Sequence, residues 1–334
     1  MKGPIDPSLS SSLMLITVIL CANFSAARAA TNSPSQYQNR QVELVSRLDP
    51  LFAVAVAAIG AIDLNGKNVT TDSFDSVDPN FSENGLYPVN TPGKRKSNGD
   101  ICSASTIINS IEVGNATIHG KAKTGPNGTV AVGKNGQVTG GISDDFNVDF
   151  PSVAVPIATW MPPPVGGTVG SYAYANIFAT SGDYAMTGLS GSIYIGTNVH
   201  VRIKMTGNVK MAGNNDQIRI APGGSCKFYM VGASFSVKGQ GLVNEDGAAG
   251  SFYYYGASSN TSVDFGGNAN FTGAIYAPNA DLTLGGGGSS SYNFIGAAVV
   301  KTITMNGHYN IHYDENIRRI GPCRGFVPTC WREL

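Results

Sequence analysis

Charge is scarce in this chain of 334 residues: only 13% are Asp, Glu, Lys or Arg, and 22 acids balance 22 bases. A neutral chain without a basic face cannot displace counterions from phosphates, which excludes nucleic acid as a partner. The five cysteines, Cys21, Cys102, Cys226, Cys323 and Cys330, include no pair at CxxC spacing, so zinc-ribbon and dithiol redox chemistry are not indicated. No G-x-S-x-G elbow occurs, and "GGGG" at 285–288 lacks the Lys and helix of a phosphate loop. The 42 glycines follow no Gly-X-Y period, which excludes collagen. With frequent Ser, Thr and Asn, they predict recurring turns joining many short strands.

The apolar run "LMLITVILCANF" at 13–24 is shorter than the roughly 20 residues of a spanning helix and suits the core of a signal peptide. The small residues of "ARA" at 27–29 mark a cleavage point after Ala29. Residues 1–30 therefore read as a signal peptide or, if retained, a membrane anchor, and the chain as exported to the cell envelope or beyond. Val42, Val45, Leu48, Leu51 and Val54 then recur at three-residue spacing, which predicts a helical segment within 31–62. Residues 63–100 read as a polar loop containing Asp72, Asp75, Asp78, Glu83 and the basic "GKRK".

From 101 onward, period-two apolar pairs follow one another: Ile193 with Ile195, Ile203 with Met205, Ile218 with Ile220, Phe235 with Val237. Strands this short do not form a stable hairpin alone, but they are stable when each coil stacks on the last. The pattern predicts an all-β fold, a single right-handed parallel β-helix over 101–317, preceded by the N-terminal hydrophobic segment and an α-helix, with a C-terminal tail at 318–334. In "GAIYAPNADLTLGG", Ile275 and Ala277 form one inward pair and Leu282 and Leu284 the next, with Pro278-Asn279 at the corner. Ile303 and Met305 repeat the scheme, and Lys301 requires a corner to keep its charge in water. The competing architecture is an antiparallel sandwich.

The stretch 267–317, with "GAIYAPNA", "GAAVVKTITMNG" and "HYDE", resembles the β-helical C-terminal domain of bacterial envelope proteins related to type IV pilus assembly. "DLNGKNVTTDSFDSVDPNFSENGLY" at 63–87, "NGDICS" and "GKAKTGPNGTVAVG" resemble the earlier part of such proteins. The resemblance implies an envelope component and brings no activity with it. The N-terminus departs from a prepilin, which carries Gly directly before its apolar run; here Gly3 is followed by "PIDPSLSSS".

Four groups are candidates for chemistry. Asp144, Asp145 and Asp149 are the best carboxylate cluster for a polysaccharide-cleaving β-helix, which needs two acids at a defined distance. Tyr253, Tyr254 and Tyr255 place at least one ring outward, where aromatics stack on sugars or a protein partner. His308, His312 and Asp314 share one parity, a donor set suited to zinc or iron, although roughly 13 Å of extended strand separates the imidazoles. Cys323 and Cys330 flank "RGFVPT" and suggest a disulfide stapling the tail. No cofactor is implied. The reading is a non-enzymatic structural or adhesive envelope protein, pilin-like or pilus-associated, whose partners are pilus or other envelope proteins or surface glycans. Membrane contact would come through the N-terminal segment if that is not cleaved. The alternative is a carbohydrate-binding or polysaccharide-cleaving protein.

Overall fold

The computed structural model describes residues 42–66, 69–266, 270–285, 292–306 and 308–333. The N-terminal hydrophobic segment lies outside them. The described chain is nearly all β with mostly parallel pairing, and it divides into two units, one of 52–321 and one that brings 42–51 together with 322–333.

The larger unit is a set of parallel ladders in which one inward side chain sits directly on the next. In the first ladder Ile203, Phe228, Tyr254, Ile275 and Ala298 stand in register, and Val56, Ile101 and Ala122 continue the line. Each of these eight is at most 1% exposed. A second ladder stacks Val209, Phe235, Val263, Leu282, Ile303, Ile62 and Ile111. A third set pairs Asn176–Phe178 through Gly241–Asn244, and separately joins the start of Tyr292–Met305 to Tyr309–Asp314, Thr70–Phe74, Thr117–Ile118 and Gln137–Val138. At roughly 25 cal/mol per Å², such continuous apolar lines dominate the stability of strands too short to persist alone.

The expected inward pairs hold. Phe271–Leu284 shifts register between Ala277 and Asp281, at Pro278-Asn279. Ile275, Ala277, Leu282, Leu284, Ile303 and Met305 are buried, while Lys301 is exposed with its ammonium 3.3 Å from Asp281.

The order of stacking was not expected. The N-terminal strands Val56–Ala58, Ile62–Asp63 and Thr70–Phe74 lie on the strands that end the sequence of the unit, Tyr292–Met305 and Tyr309–Asp314. The stacked region therefore begins at Val56 rather than at 101, and the polar 63–100 segment contains the strand Thr70–Phe74. Nor do residues 42–62 form a helix: Val42–Pro50, Val56–Ala58 and Ile62–Asp63 are strands. The three-residue spacing fits a helix, but segments this short gain more from pairing a ready strand edge than from an isolated helix.

After Ile142–Ser143 the chain must return along the stack to reach Asn176. It does so as an irregular strap over 146–165. Ten strands of the first ladder lie between its ends and Met161 bridges the outer side of the last, so it crosses ten steps of about 4.8 Å or some 48 Å. The 17 steps from Asp144 to Met161 reach about 53 Å only if extended at ~3.1 Å each, a conformation that Pro151 and Pro156 favour. The outward side chains Tyr276, Val299, Ala57 and Cys102 of that ladder are buried, and the Tyr276 hydroxyl donates to the Pro151 carbonyl at 2.6 Å.

The smaller unit is a two-stranded antiparallel sheet, Val42–Pro50 with Cys323–Glu333, carrying an Arg324 to Asp49 ion pair at 2.9 Å. The tail of 318–334 is thus a short helix, Ile317–Ile320, then a strand. Cys323 and Cys330 are free and exposed. The expected disulfide is ruled out by geometry: seven residues along one strand span about 23 Å, against the roughly 7 Å limit between bridged Cα atoms.

Candidate functional site

Thr70–Phe74 and Tyr309–Asp314 pair in parallel with His312 opposite Asp72. Their inward residues Thr71 and Ile311 go to the core; Asp72, His312 and Asp314 have the opposite parity and point out of the ladder. They are nevertheless buried, at 4%, 3% and 2% exposure, because the loop 75–98 folds back over this face. That loop satisfies its own backbone with its basic residues. Lys94 donates to the carbonyls of Pro79 and Ser82 at 2.8 and 2.9 Å, and Arg95 to that of Val89 at 2.7 Å. Of the "GKRK" charges, Lys94 and Arg95 are spent on the loop, and Lys96 reaches Glu315.

Under the loop, His312 Nδ1 donates to Asp72 Oδ1 at 2.5 Å, and the Tyr87 hydroxyl donates to Asp72 Oδ2 at 2.7 Å. The Tyr87 ring stacks on the imidazole with centroids 3.6 Å apart, and Arg95 lies over its other face at 5.1 Å. His312 Nε2 lies 3.1 Å from the Asn293 carboxamide. Burial, then the bond to Asp72, pushes the Tyr87 phenol well above its ordinary range, so it acts as a fixed donor. Gly99 permits the close approach: a Cβ there would stand 2.6 Å from the Asp72 nitrogen.

Glu315 forms a second anchor, paired with Lys96 and accepting from Asn98 at 2.7 Å and Ser73 at 2.9 Å. Asp314 accepts the backbone N–H groups of Ser76 and Asn316, and its burial raises its pKa. A polar cleft of about 250 Å³ beside this anchor is lined by Asn98, Asp100, Tyr313, Glu315, Arg318 and Arg319. Its charges are partly compensated, Glu315 by Lys96 and Arg319 by Asp75.

The sequence candidates are distributed differently from expectation. Of the trio His308, His312 and Asp314, only the last two lie under the loop's cover; His308 is half-buried, and its carbonyl accepts the Tyr292 N–H. Among the described residues, no three His, Cys, Asp or Glu side chains converge as a metal requires. Tyr254 is fully buried in the core, its hydroxyl on Asn260 at 2.9 Å, so it offers no surface. Tyr253 and Tyr255 point outward, as alternation predicts. Yet Tyr253 is 6% exposed beneath Phe52, and Tyr255 stacks on Tyr229 at 5.0 Å and on Tyr253 at 6.1 Å. These rings pack on one another instead of standing free.

Asp144 and Asp145 are exposed and serve separate partners. Asp144 accepts the Asn127 N–H at 3.2 Å, and Asp145 pairs with Lys123 at 3.2 Å. The Ser143 hydroxyl, then Lys123, holds the Asp145 carboxyl below its usual range. A glycosidase acid needs the reverse shift. Asp149 is exposed on the strap.

Sequence reasoning missed the pairing of Asp72 with His312, 240 residues apart, because nothing local signals which strands become neighbours. A family model described as "Domain of unknown function (DUF7305)" matches residues 176–320. Comparison with curated proteins and with solved structures finds no match.

Proposed function

We propose that this chain is a non-enzymatic exported envelope protein, structural or adhesive and pilus-associated, whose body is a right-handed parallel β-helix. The observation that carries the reading is the use of the acid and base groups. His312, Asp72, Tyr87, Asp314 and Glu315 are committed to holding a loop closed over a strand junction, with the imidazole and the Asp72 carboxylate nearly sealed from solvent. General acid–base catalysis needs such groups within reach of a substrate proton. From Gly182–Met186 to Tyr292–Met305 the strand neighbours of the first ladder are 19 to 26 residues apart and parallel, which supports the coil geometry. The outward line of the second ladder, Ser236, Asp264, Thr283, Thr304, Asp63 and Glu112, is a polar strip suited to hydrated contact with other envelope proteins or surface glycans.

Among the described residues no helix is long and apolar enough to cross a membrane, so anchorage rests on the run at 13–24. Fractionation of cells producing a C-terminally tagged chain, with mass spectrometry of the mature N-terminus, tests the reading. Recovery from the envelope or the medium is expected. A chain with an intact N-terminus found only in the cytosol would end the proposal, and so would turnover of a polysaccharide by the purified chain.

A further inference from the structure

The two ends of the stack are finished differently. At one end the strap lies across the last strands. Met161 donates to the Asp183 carbonyl at 2.8 Å and accepts from the Ala185 N–H at 2.9 Å, while Ile177 donates to the Val165 carbonyl at 3.1 Å. Pro162, Pro163 and Pro164 bring no N–H group to this edge, so it offers little to pair with. At the other end Val130–Val132, Gln137–Val138 and Ile142–Ser143 each pair on one side only among the described residues. Their outer backbone edges are open. So is the apolar interior: Val132 and Ile142 are 40% and 54% exposed and Val130 and Val138 half-buried, whereas Ile111, Ile118 and Ala122, one layer in, are fully buried. A stacked-strand protein needs a polar cap where its core ends.

We propose that this open end is the contact between two copies of the chain, joined end to end about a two-fold axis. Such an axis, perpendicular to the stack, reverses strand direction, so open edges meet in the antiparallel sense, and each copy caps the other's exposed valines and isoleucine. Charge selects the orientation. Lys134 stands in the turn between Val130–Val132 and Gln137–Val138; Asp144 and Asp145 follow Ile142–Ser143; all three are exposed. An axis through Val130–Val132 sets Lys134 against the partner's Asp144, Asp145 being paired with Lys123 of its own copy, and sets Gln137–Val138 against the partner's Ile142–Ser143. The two other placements bring Lys134 onto its own copy, or the aspartates onto theirs, which like charges disfavour. The proline-covered end prevents continued growth, so association stops at two.

Sedimentation velocity of the full chain across the micromolar range tests this, since three short strands a side belong to the small, weak class of interface. A concentration-dependent dimer is expected. Lys134→Glu and Asp144→Lys each weaken it about tenfold, and the two together restore it, because the swapped charges again face each other. Circular dichroism confirms that the variants fold. A monomer throughout the range, a dimer indifferent to both single substitutions, a double variant no better than the singles, or growth into longer assemblies would each overturn the proposal.

Discussion

Replacing His312 by Ala removes the partner of a carboxylate that has almost no access to water. Asp72 is 4% exposed, and His312 and Tyr87 are its side-chain partners. Breaking a buried pair by deleting one member costs about 3–5 kcal/mol. The lost stack on Tyr87 adds about 0.5–1.5 kcal/mol, and the remaining Tyr87 bond offsets part of the sum. The expectation is a loss of about 3 kcal/mol, concentrated in the loop 75–98, which this pair holds to the ladder. A stacked-strand protein need not unfold in one step, so the informative assay is local. Hydrogen exchange of loop amides should accelerate about 100-fold, since 1.36 kcal/mol is a factor of ten. Asp72→Asn combined with His312→Ala should cost less than the two single changes added, because no stranded charge remains. A single variant whose loop exchanges within threefold of wild type, or a strictly additive cycle, would refute the claim that this pair closes the loop.

Asp314 has its carboxyl pKa raised by burial, so the native state holds that proton more tightly than the unfolded chain does, and its contribution is fully present at low pH and lost as pH rises through the carboxylate range. Stability measured from about pH 3 to 7 should therefore move in favour of Asp314→Asn relative to wild type; a constant gap would contradict the shift. Gly296 has φ +137°, and a Cβ there would stand 1.7 Å from the Gly273 carbonyl oxygen. Gly296→Ala should therefore cost several kcal/mol, more than the ~1 kcal/mol of a typical point substitution, as measured by urea unfolding. Cys323 and Cys330 should alkylate readily in the native protein, whereas Cys102 and Cys226, fully buried and with burial raising both thiol pKa values, should react only after unfolding; site-resolved mass spectrometry reads this directly. Tyr276→Phe deletes the hydroxyl on the Pro151 carbonyl and should cost about 1 kcal/mol while speeding proteolysis within 146–165.

Alternation along the strand was enough to place Ile275, Leu282, Leu284, Ile303 and Met305 in the core and to demand a corner beside Lys301. Period two is a property of each short segment by itself. It also required at least one tyrosine of the row to face outward, where the structure has two, although it did not show the neighbours that cover them. At Val42–Pro50 the local pattern misled: residues three apart share a helix face but fall on opposite faces of a strand, and pairing with Cys323–Glu333, not the spacing, decided the outcome. Cys323 and Cys330 misled similarly: their proximity in sequence becomes distance once the intervening residues extend.

What the sequence alone determined is the kind of strand, short, uncharged and turned by Gly, Asn and Pro, and which face of each strand is buried. Only the tertiary structure decided which strands are neighbours. The hydrogen bonds joining one layer to the next are made by backbone groups that every residue except proline carries, so they leave no mark in the sequence. The stacking of Val56–Phe74 on Tyr292–Asp314, and with it the meeting of Asp72 and His312, follows from shape and burial summed over the whole ladder.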